Sequence, residues 1–226
     1  MLQEIYVKVR EKFSSLEGSH DWFHIERVLQ NARLIQEKEG GDLLIIELGA
    51  LLHDIADHKF HDNDFEIGSK VAKRWVMEFF NNEELACKIE EIVSAVSYKG
   101  AKVKDISLSL EGKIVRDADR LDAIGAVGIA RAFAYGGSKH RPLFNERTTP
   151  VLHNSKESYA ASKSHTINHF YEKLLLLVDR METNTARSIG NERQVFMLNF
   201  LEQFFKEVNF SIEDSAFDLT IFHDQL

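Results

Sequence analysis

We predict an all-helical, single-domain bundle for this chain from two features of its sequence. Apolar residues recur at helical spacing through most of the chain, and no clear period-2 run of β-branched residues indicates a strand. The 226 residues include only two prolines, Pro142 and Pro150, and both fall in the same segment. A chain of this length can bury a sizeable core, so we assign residues 1–226 to one domain.

The first half of the chain shows a succession of helical segments. The N-terminal stretch MLQEIYVKVREKF has no unbroken apolar core, which favours a helix over a signal peptide. A second helix is expected to end at Gly40 and Gly41, and Asn81 or Asn82 can cap a later one. Residues 43–53 are apolar nearly all round, which is typical of a central helix. The stripe of the second helix consists of Ile25, Val28, Leu29, Ala32 and Ile35.

The second half contains a small-sided helix, a loop and two amphipathic stretches. Residues 117–134 predict one helix rich in Ala and Gly, which would pack closely against a neighbour. Residues 135–154 contain both prolines, a Gly pair and several basic residues, so we predict a long surface loop. The motif-bearing core would cover about 19–135, and helices at about 155–208 would form a C-terminal hairpin. Their stripes are Ile167, Phe170, Leu174, Val178 and Met181, and Phe196, Phe200, Leu201, Phe204 and Val208.

Composition and charge exclude several classes of function. The formal net charge is −8, so the basic excess that a nucleic-acid polymer requires is missing. The most apolar run, 43–52, is too short to span a bilayer and contains Glu47. The single Cys87 cannot form an internal disulfide, which fits a reducing compartment. We therefore expect a cytoplasmic protein that binds neither a membrane nor a nucleic-acid polymer; the oligomeric state stays open.

Four polar residues stand out because they occur on or beside apolar helical segments. His24 lies at the edge of the second helix's stripe, and His53 and Asp54 end the most hydrophobic segment. Asp119 is expected to open the small-residue helix. Polar groups placed against a core cost free energy unless they find partners, and one divalent cation would satisfy all four. Each residue alone could also be an ordinary hydrogen-bonded or solvated side chain.

Two imidazoles and two carboxylates form a mixed nitrogen and oxygen donor set. Such a set suits Mn²⁺, Fe²⁺, Co²⁺, Ni²⁺ or Zn²⁺ and tolerates Mg²⁺ less well. No thiolate is available for a Cys-type structural zinc site. Four protein ligands on an ion that accepts six leave positions for water and a phosphate oxygen.

The ordered pattern H…HD…D resembles the HD-domain phosphohydrolase superfamily. The resemblance is carried by HxxRV at 24–28, LLHDIAD at 51–57 and DADRLDA at 117–123. It extends to SHDWFH, DADRLDAIGAVGIARAF and HFYEKLL, covers most of residues 19–180, and is greatest for small stand-alone bacterial members that resemble nucleotide pyrophosphohydrolases. It implies a helical HD-type fold and a metal-dependent phosphohydrolase activity.

The resemblance implies His24, His53, Asp54 and Asp119 as the metal ligands. Members with an ADRL motif have the ligand Asp directly before Arg-Leu, which selects Asp119. Asp117 is the local alternative, and it lies about 200° away around a helix, so the two cannot share a face. Asp117 would then be a cap or a salt-bridge partner.

Further residues are candidates for catalysis and substrate binding. Asp57 follows His53 by one helical turn and aligns with a carboxylate that handles the water proton in related guanosine-tetraphosphate hydrolases; we predict a general acid or base. Asp54 is the other catalytic candidate. Each of these residues could instead be a solvated charge. The substrate-binding candidates are Arg27, Lys59, Lys99, Arg120 and Arg141, and the candidates for supporting the metal ligands are His20 and Asp122.

We expect hydrolysis of a small phosphorylated substrate, first of all a nucleoside triphosphate cleaved to a monophosphate and pyrophosphate. A nucleoside monophosphate phosphatase and a guanosine-tetraphosphate hydrolase are alternatives within the same chemistry. A metal- or nucleotide-binding sensor without turnover is the alternative from another class. A second metal at His58, His61, Asp62 and Asp64 would resemble binuclear phosphodiesterases, but their longer His-rich pattern is missing.

Overall fold

The computed structural model describes residues 1–14, 21–55, 67–155, 157–158, 161–162, 164–213 and 215–223. These residues form helices joined by turns and loops, and no β-strand occurs among them, so the predicted all-helical fold class is confirmed. No helix in this part of the chain is long and apolar enough to cross a membrane. The helices are α1 (Leu2–Ser14), α2 (Trp22–Glu39), α3 (Leu43–Leu52), α4 (Ile67–Phe80), α5 (Glu83–Val96), α6 (Leu110–Asp122), α7 (Gly125–Ser138), α8 (Thr166–Glu172), α9 (Asn184–Glu207) and α10 (Thr220–His223).

The chain divides into two compact units. The first unit comprises Met1–Tyr98 and Asp105–Asp119, and the second comprises Lys99–Lys104 and Arg120–Leu226. The single domain that we expect from chain length stays a prediction.

The first unit is organised around α3. Every residue of this helix from Ile45 to Leu52 is buried, as its apolar sequence predicts. Helix α3 packs against α1, α2 and α5, and α4 packs against α5. The Asp42 carboxylate caps α3 by accepting from the amides of Leu44 and Ile45 at 2.9 and 3.3 Å. Asn82, and not Asn81, caps α5.

The predicted helix over 117–134 is wrong, because two helices meet there. Helix α6 ends at Asp122 and α7 begins at Gly125, which has a φ of +74°. The turn between them is tight: a Cβ atom at Gly128 would lie 2.2 Å from the carbonyl oxygen of Ala123. The glycines therefore permit a left-handed turn and a close backbone approach that a side chain would prevent. As a consequence Asp119 lies in the last turn of α6 and does not open a helix.

The second unit is built on α7, α8 and α9, with α7 packing against both of the other helices. A Cβ atom at Gly136 would lie 2.2 Å from Thr166 Oγ1, so the small residues of α7 do allow a close helix contact. The predicted stretch from Ile167 to Met181 is not one long helix. It comprises α8 and two short 3₁₀ turns, Leu174–Leu176 and Val178–Arg180, before the 24-residue α9.

The loop after α7 begins at Lys139, four residues later than predicted, and is anchored on the start of α8. The amide of Thr166 donates to the carbonyl of Pro142 at 3.1 Å. His165 caps α8, since its Nδ1 accepts from the amide of Asn168 at 3.2 Å while its Nε2 lies 3.0 Å from the carbonyl of Thr148. This arrangement requires a neutral imidazole with its proton on Nε2, and burial lowers the pKa of His165.

Candidate metal centre

His24 is held in the first turn of α2. Asp21 precedes this helix, and its carboxylate accepts from the amide of His24 at 3.0 Å. This cap fixes where the helix begins and therefore where the imidazole points. The His24 side chain is 1% exposed, so it lies within the first unit and not in solvent.

His53 and Asp54 directly follow α3. The Nδ1 atom of His53 lies 2.8 Å from the carbonyl oxygen of Ala50, which can only accept a hydrogen bond. Nδ1 therefore carries the proton, and Nε2 presents a lone pair. This is the second hydrogen bond that metal-binding histidines usually make, and it orients the ring.

The four predicted ligands converge within the first unit. The Nε2 atoms of His24 and His53 are 3.2 Å apart. Asp54 Oδ2 lies 3.4 Å from Nε2 of His24 and 3.7 Å from that of His53. Asp119 Oδ1 lies 3.7 and 3.8 Å from the same two atoms. One ligand atom from each of His24, His53 and Asp119 fits within a mutual distance of 4.8 Å, and Asp54 reaches both imidazoles.

These distances suit a single divalent ion. Metal–nitrogen bonds of about 2.1 Å separate two nitrogens by roughly 3.0–3.4 Å at angles of about 90–110°, and the observed separation of 3.2 Å falls in that range. A single shared proton would stabilise the cluster less than a metal ion, because His53 Nε2 and both carboxylates are all hydrogen-bond acceptors. One N–H of His24 can serve only part of that set, whereas a cation can contact all of it. The residues present therefore fit a metal ion.

The cluster is closed on the imidazole side and open on the carboxylate side. The two histidine side chains are at most 2% exposed, while those of Asp54 and Asp119 are 21% and 28% exposed. An ion held here could accept water or a phosphate oxygen from the carboxylate side. Such an open position distinguishes catalytic metal sites from purely structural ones.

Asp119 and Asp117 differ in their surroundings, as their positions on α6 predict. Asp117 is fully buried, whereas Asp119 is half-buried and faces the two imidazoles. This placement favours Asp119 as the ligand.

Two contacts that sequence reasoning missed hold the ligand-bearing helices together. Asn31 on α2 donates from Nδ2 to the carbonyl of Ala118, directly before Asp119, at 3.3 Å. Arg33 on the same helix pairs with Glu47 of α3 at 2.6 Å. Asn31 follows His24 by seven residues, or about two helical turns, so the spacing in the sequence indicates that both side chains lie on the same face of α2.

The structure places the remaining candidates in different surroundings. Arg27 is half-buried on α2, three residues after His24. His20, Asp57, Lys59 and the second-metal candidates at 58–64 lie outside the described residues.

The other candidates belong to the second unit. Lys99 is half-buried there. Arg120 is 3% exposed and donates to the carbonyl of Arg180. Arg141 donates to the carbonyl of Ser162 at 2.8 Å. Asp122 is 2% exposed and forms an ion pair with the guanidinium of Arg131 at 2.5 Å. Their roles in substrate binding and in supporting the ligands stay predictions.

Comparisons with known proteins identify a family and several relatives of this chain. The family model for the HD domain matches residues 22–124. The Bacillus subtilis protein YpgQ is 39% identical over 91% of this chain and 93% of its own length. A Bacillus thuringiensis HD-superfamily hydrolase of known structure is 39% identical, with a TM-score of 0.70 over 92% of this chain and 96% of that one. A Lactobacillus plantarum structure is 32% identical and aligns with a TM-score of 0.80 over 92% and 96% of the two chains.

The helical fold and these relatives define the class of the protein, which is a metal-dependent phosphohydrolase. The chain belongs to the HD-domain family and is similar to its small stand-alone members.

Proposed function

We propose that this protein hydrolyses a phosphoanhydride or phosphoester bond in a nucleotide or a similar small metabolite. Our first choice of reaction converts a nucleoside triphosphate to a monophosphate and pyrophosphate. The observation that supports this proposal most is the convergence of two buried imidazoles with two partly exposed carboxylates. We propose Mn²⁺ as a suitable ion, because the donor set mixes nitrogen and oxygen.

An ion held by His24, His53, Asp54 and Asp119 would polarise the attacked phosphoryl group and lower the pKa of bound water. The protein supplies the orientation. The carbonyl of Ala50 holds the His53 ring with its Nε2 lone pair toward the cluster. The two carboxylates bring negative charge to the open side.

The proton and the substrate charge require further groups. Asp57 lies four residues after His53 in the sequence, and we propose that it moves the proton of the attacking water. Arg27 lies on the His24 side of α2, where a guanidinium can orient a carboxylate or bind a phosphate. Lys59, Lys99, Arg120 and Arg141 are the further candidates for phosphate binding.

A nucleotide substrate is supported by one relative. Bacillus subtilis YpgQ has a crystal structure in complex with ADP. Its sequence there is 36% identical to this chain, and the two structures align with a TM-score of 0.72 over 91% of this chain and 94% of that one. A bound nucleoside diphosphate in that protein is consistent with a nucleotide phosphate as the ligand of this one.

Product analysis tests the proposal. Metal-free protein supplemented with Mn²⁺ would be incubated with ribonucleoside and deoxyribonucleoside triphosphates, and the products separated by anion exchange. We expect equimolar monophosphate and pyrophosphate, and none when Mn²⁺ is withheld. Asp54→Asn should abolish the reaction, while Glu91→Gln, which removes an exposed carboxylate from α5 of the same unit, should not.

Other products would redirect the proposal. Orthophosphate from monophosphates, with triphosphates untouched, would move the protein to nucleotidase chemistry. Cleavage of guanosine tetraphosphate alone would assign it to that class of hydrolase. Metal and nucleotide binding without turnover of any of these substrates would refute hydrolysis and favour a sensor.

A further inference from the structure

Gly49 is an unexpected residue in the interior of α3. The helix consists mostly of large apolar side chains, and all of its residues from Ile45 to Leu52 are buried. A glycine in the middle of a helix costs about 1 kcal/mol relative to alanine, because it has more backbone freedom to lose on folding. The presence of Gly49 therefore requires a reason in the packing around α3.

The space beside Gly49 is filled by a side chain of α6. A Cβ atom at position 49 would lie 2.9 Å from Cγ2 of Val115 and 3.3 Å from Cγ2 of Ile92 on α5. Val115 is fully buried and Ile92 is 2% exposed, and a β-branched side chain in a helix has few other rotamers to adopt. Gly49 thus permits α6 to approach α3 more closely than a residue with a side chain would.

This close approach lies one helical turn before the metal centre on both helices. His53 follows Gly49 by four residues and has helical dihedral angles, with φ −57° and ψ −33°. Asp119 follows Val115 by four residues on α6. Residues four apart lie on the same face of a helix, so the contact at Gly49 adjoins the pair of His53 and Asp119. The ligand atoms of that pair, Nε2 and Oδ1, are 3.8 Å apart.

A side chain at position 49 would change this separation. Carbon atoms pack at about 3.5–4.0 Å, so the 2.9 Å contact with Val115 would have to lengthen by roughly half an ångström or more. Bonds between a metal and its ligands tolerate deviations of only about 0.2 Å. Because Val115 is enclosed, the helices themselves would move apart, and Asp119 would move away from His53.

We propose that Gly49 is a positioning residue of the metal centre, because by admitting Val115 it sets the distance at which Asp119 meets His53. It acts through the spacing of α3 and α6 and not through contact with the ion. This inference rests on the metal centre of the proposed function, and it adds a residue that determines how tightly that centre holds its ion.

Mn²⁺ binding to the Gly49→Ala variant tests the proposal. Metal-free wild type and variant would be titrated with Mn²⁺ by calorimetry, at a temperature where circular dichroism shows both to be folded. We expect at least about tenfold weaker Mn²⁺ binding by the variant, a loss that is usual when the support of a metal ligand is altered. The rise in melting temperature that Mn²⁺ produces should become smaller accordingly.

Two further variants separate spacing from other effects of the substitution. Adding Val115→Ala to Gly49→Ala removes both Val115 methyl groups that lie near the new Cβ atom, and should restore Mn²⁺ affinity to within about threefold of wild type. Val115→Ile adds one carbon to the same contact from the side of α6, and should weaken Mn²⁺ binding severalfold even if Gly49→Ala does not fold.

Gly112→Ala is the matched control on α6. A Cβ atom at position 112 would also meet a neighbour at 2.9 Å, but this neighbour is Leu108, which precedes α6 and does not belong to α3. Whatever its effect on the melting temperature, Gly112→Ala should leave Mn²⁺ affinity unchanged.

Several results would overturn the proposal. These are an unchanged Mn²⁺ affinity in Gly49→Ala and Val115→Ile, equal weakening by Gly112→Ala, or a folded double variant that binds Mn²⁺ no better than Gly49→Ala. Each of them, beside a wild type that binds Mn²⁺, overturns this inference alone. A wild type that binds no Mn²⁺ would overturn the metal centre itself and this inference with it.

Discussion

The stability of the protein should fall more when Arg33 is removed than when Glu47, its partner in an ion pair, is removed. The pair joins α2, which carries His24, to α3, which leads into His53. The Arg33 guanidinium contacts Glu47 Oε1 at 2.6 Å, and the arginine side chain is 50% exposed while the glutamate side chain is 9% exposed. Only the carboxylate therefore depends on the pair for its solvation.

The magnitudes follow from this difference in exposure. Breaking a buried pair costs roughly 3–5 kcal/mol when a charge is left unpaired. Because one partner reaches water, we reduce this to about 2 kcal/mol for Arg33→Met, or roughly thirtyfold in the folding equilibrium. Glu47→Met leaves Arg33 in water and buries a thioether in place of a carboxylate. We expect it to cost about 1 kcal/mol or less.

Chemical denaturation of both single variants and the double variant forms the appropriate cycle. The free energy of unfolding of the double variant should equal that of Glu47→Met, because neither variant has a buried carboxylate at position 47. Lys88→Met removes the fully exposed pair with Glu84 and should leave the denaturation midpoint nearly unchanged. Equal costs for Arg33→Met and Glu47→Met, or additive costs in the double variant, would refute the reasoning.

Three further predictions concern the metal centre, the acid or base, and pH. Mn²⁺ should raise the melting temperature of the wild type and of Asp117→Asn but not that of Asp119→Asn. Calorimetry with and without Mn²⁺ measures these shifts. The reverse result would make Asp117 the ligand. Asp54→Ala should lose both metal and activity, whereas Asp57→Asn should keep its metal and lose roughly 10²–10⁴-fold in rate. Elemental analysis measures the metal content of both variants. Equal metal loss would make Asp57 a ligand. The folded-state pKa of His165 is lowered from 6.5, so its contribution to stability is complete above that pH and is lost as pH falls below it. His165→Asn retains a neutral cap and should therefore lose less stability than the wild type between pH 7.5 and 5.5 in denaturation curves; an equal loss would contradict this role.

Much of the helical organisation could be predicted from the sequence because its signals are local. The glycines at 40 and 41 end α2, Asn82 caps α5, and the stretch at 43–52, apolar except for Glu47, becomes the buried α3. Spacing and capping act over one or two helical turns, so they can be recognised without knowing what a helix packs against. The four ligand candidates were also evident, as polar residues beside apolar helices.

Local signals failed where packing decides the backbone. The Ala- and Gly-rich stretch has good helical periodicity, yet Gly125 turns left-handed and Gly128 lies against the carbonyl of Ala123. The apolar stripe from Ile167 to Met181 continues through 3₁₀ turns, because its spacing does not specify which hydrogen bonds the backbone makes. Short-range patterns do not contain the contacts that favour these alternatives.

The sequence by itself determined the helical class, the family resemblance and the kinds of donor atoms that a metal would meet. Only the tertiary structure decided that Nε2 of His24 and Nε2 of His53 lie 3.2 Å apart, and that Asp119 faces both rings while Asp117 is buried. The physical reason is that ligand identity is a property of single residues, whereas a coordination geometry depends on how α2, α3 and α6 pack. That packing rests on contacts between residues far apart in the chain, among them the hydrogen bond from Asn31 to Ala118.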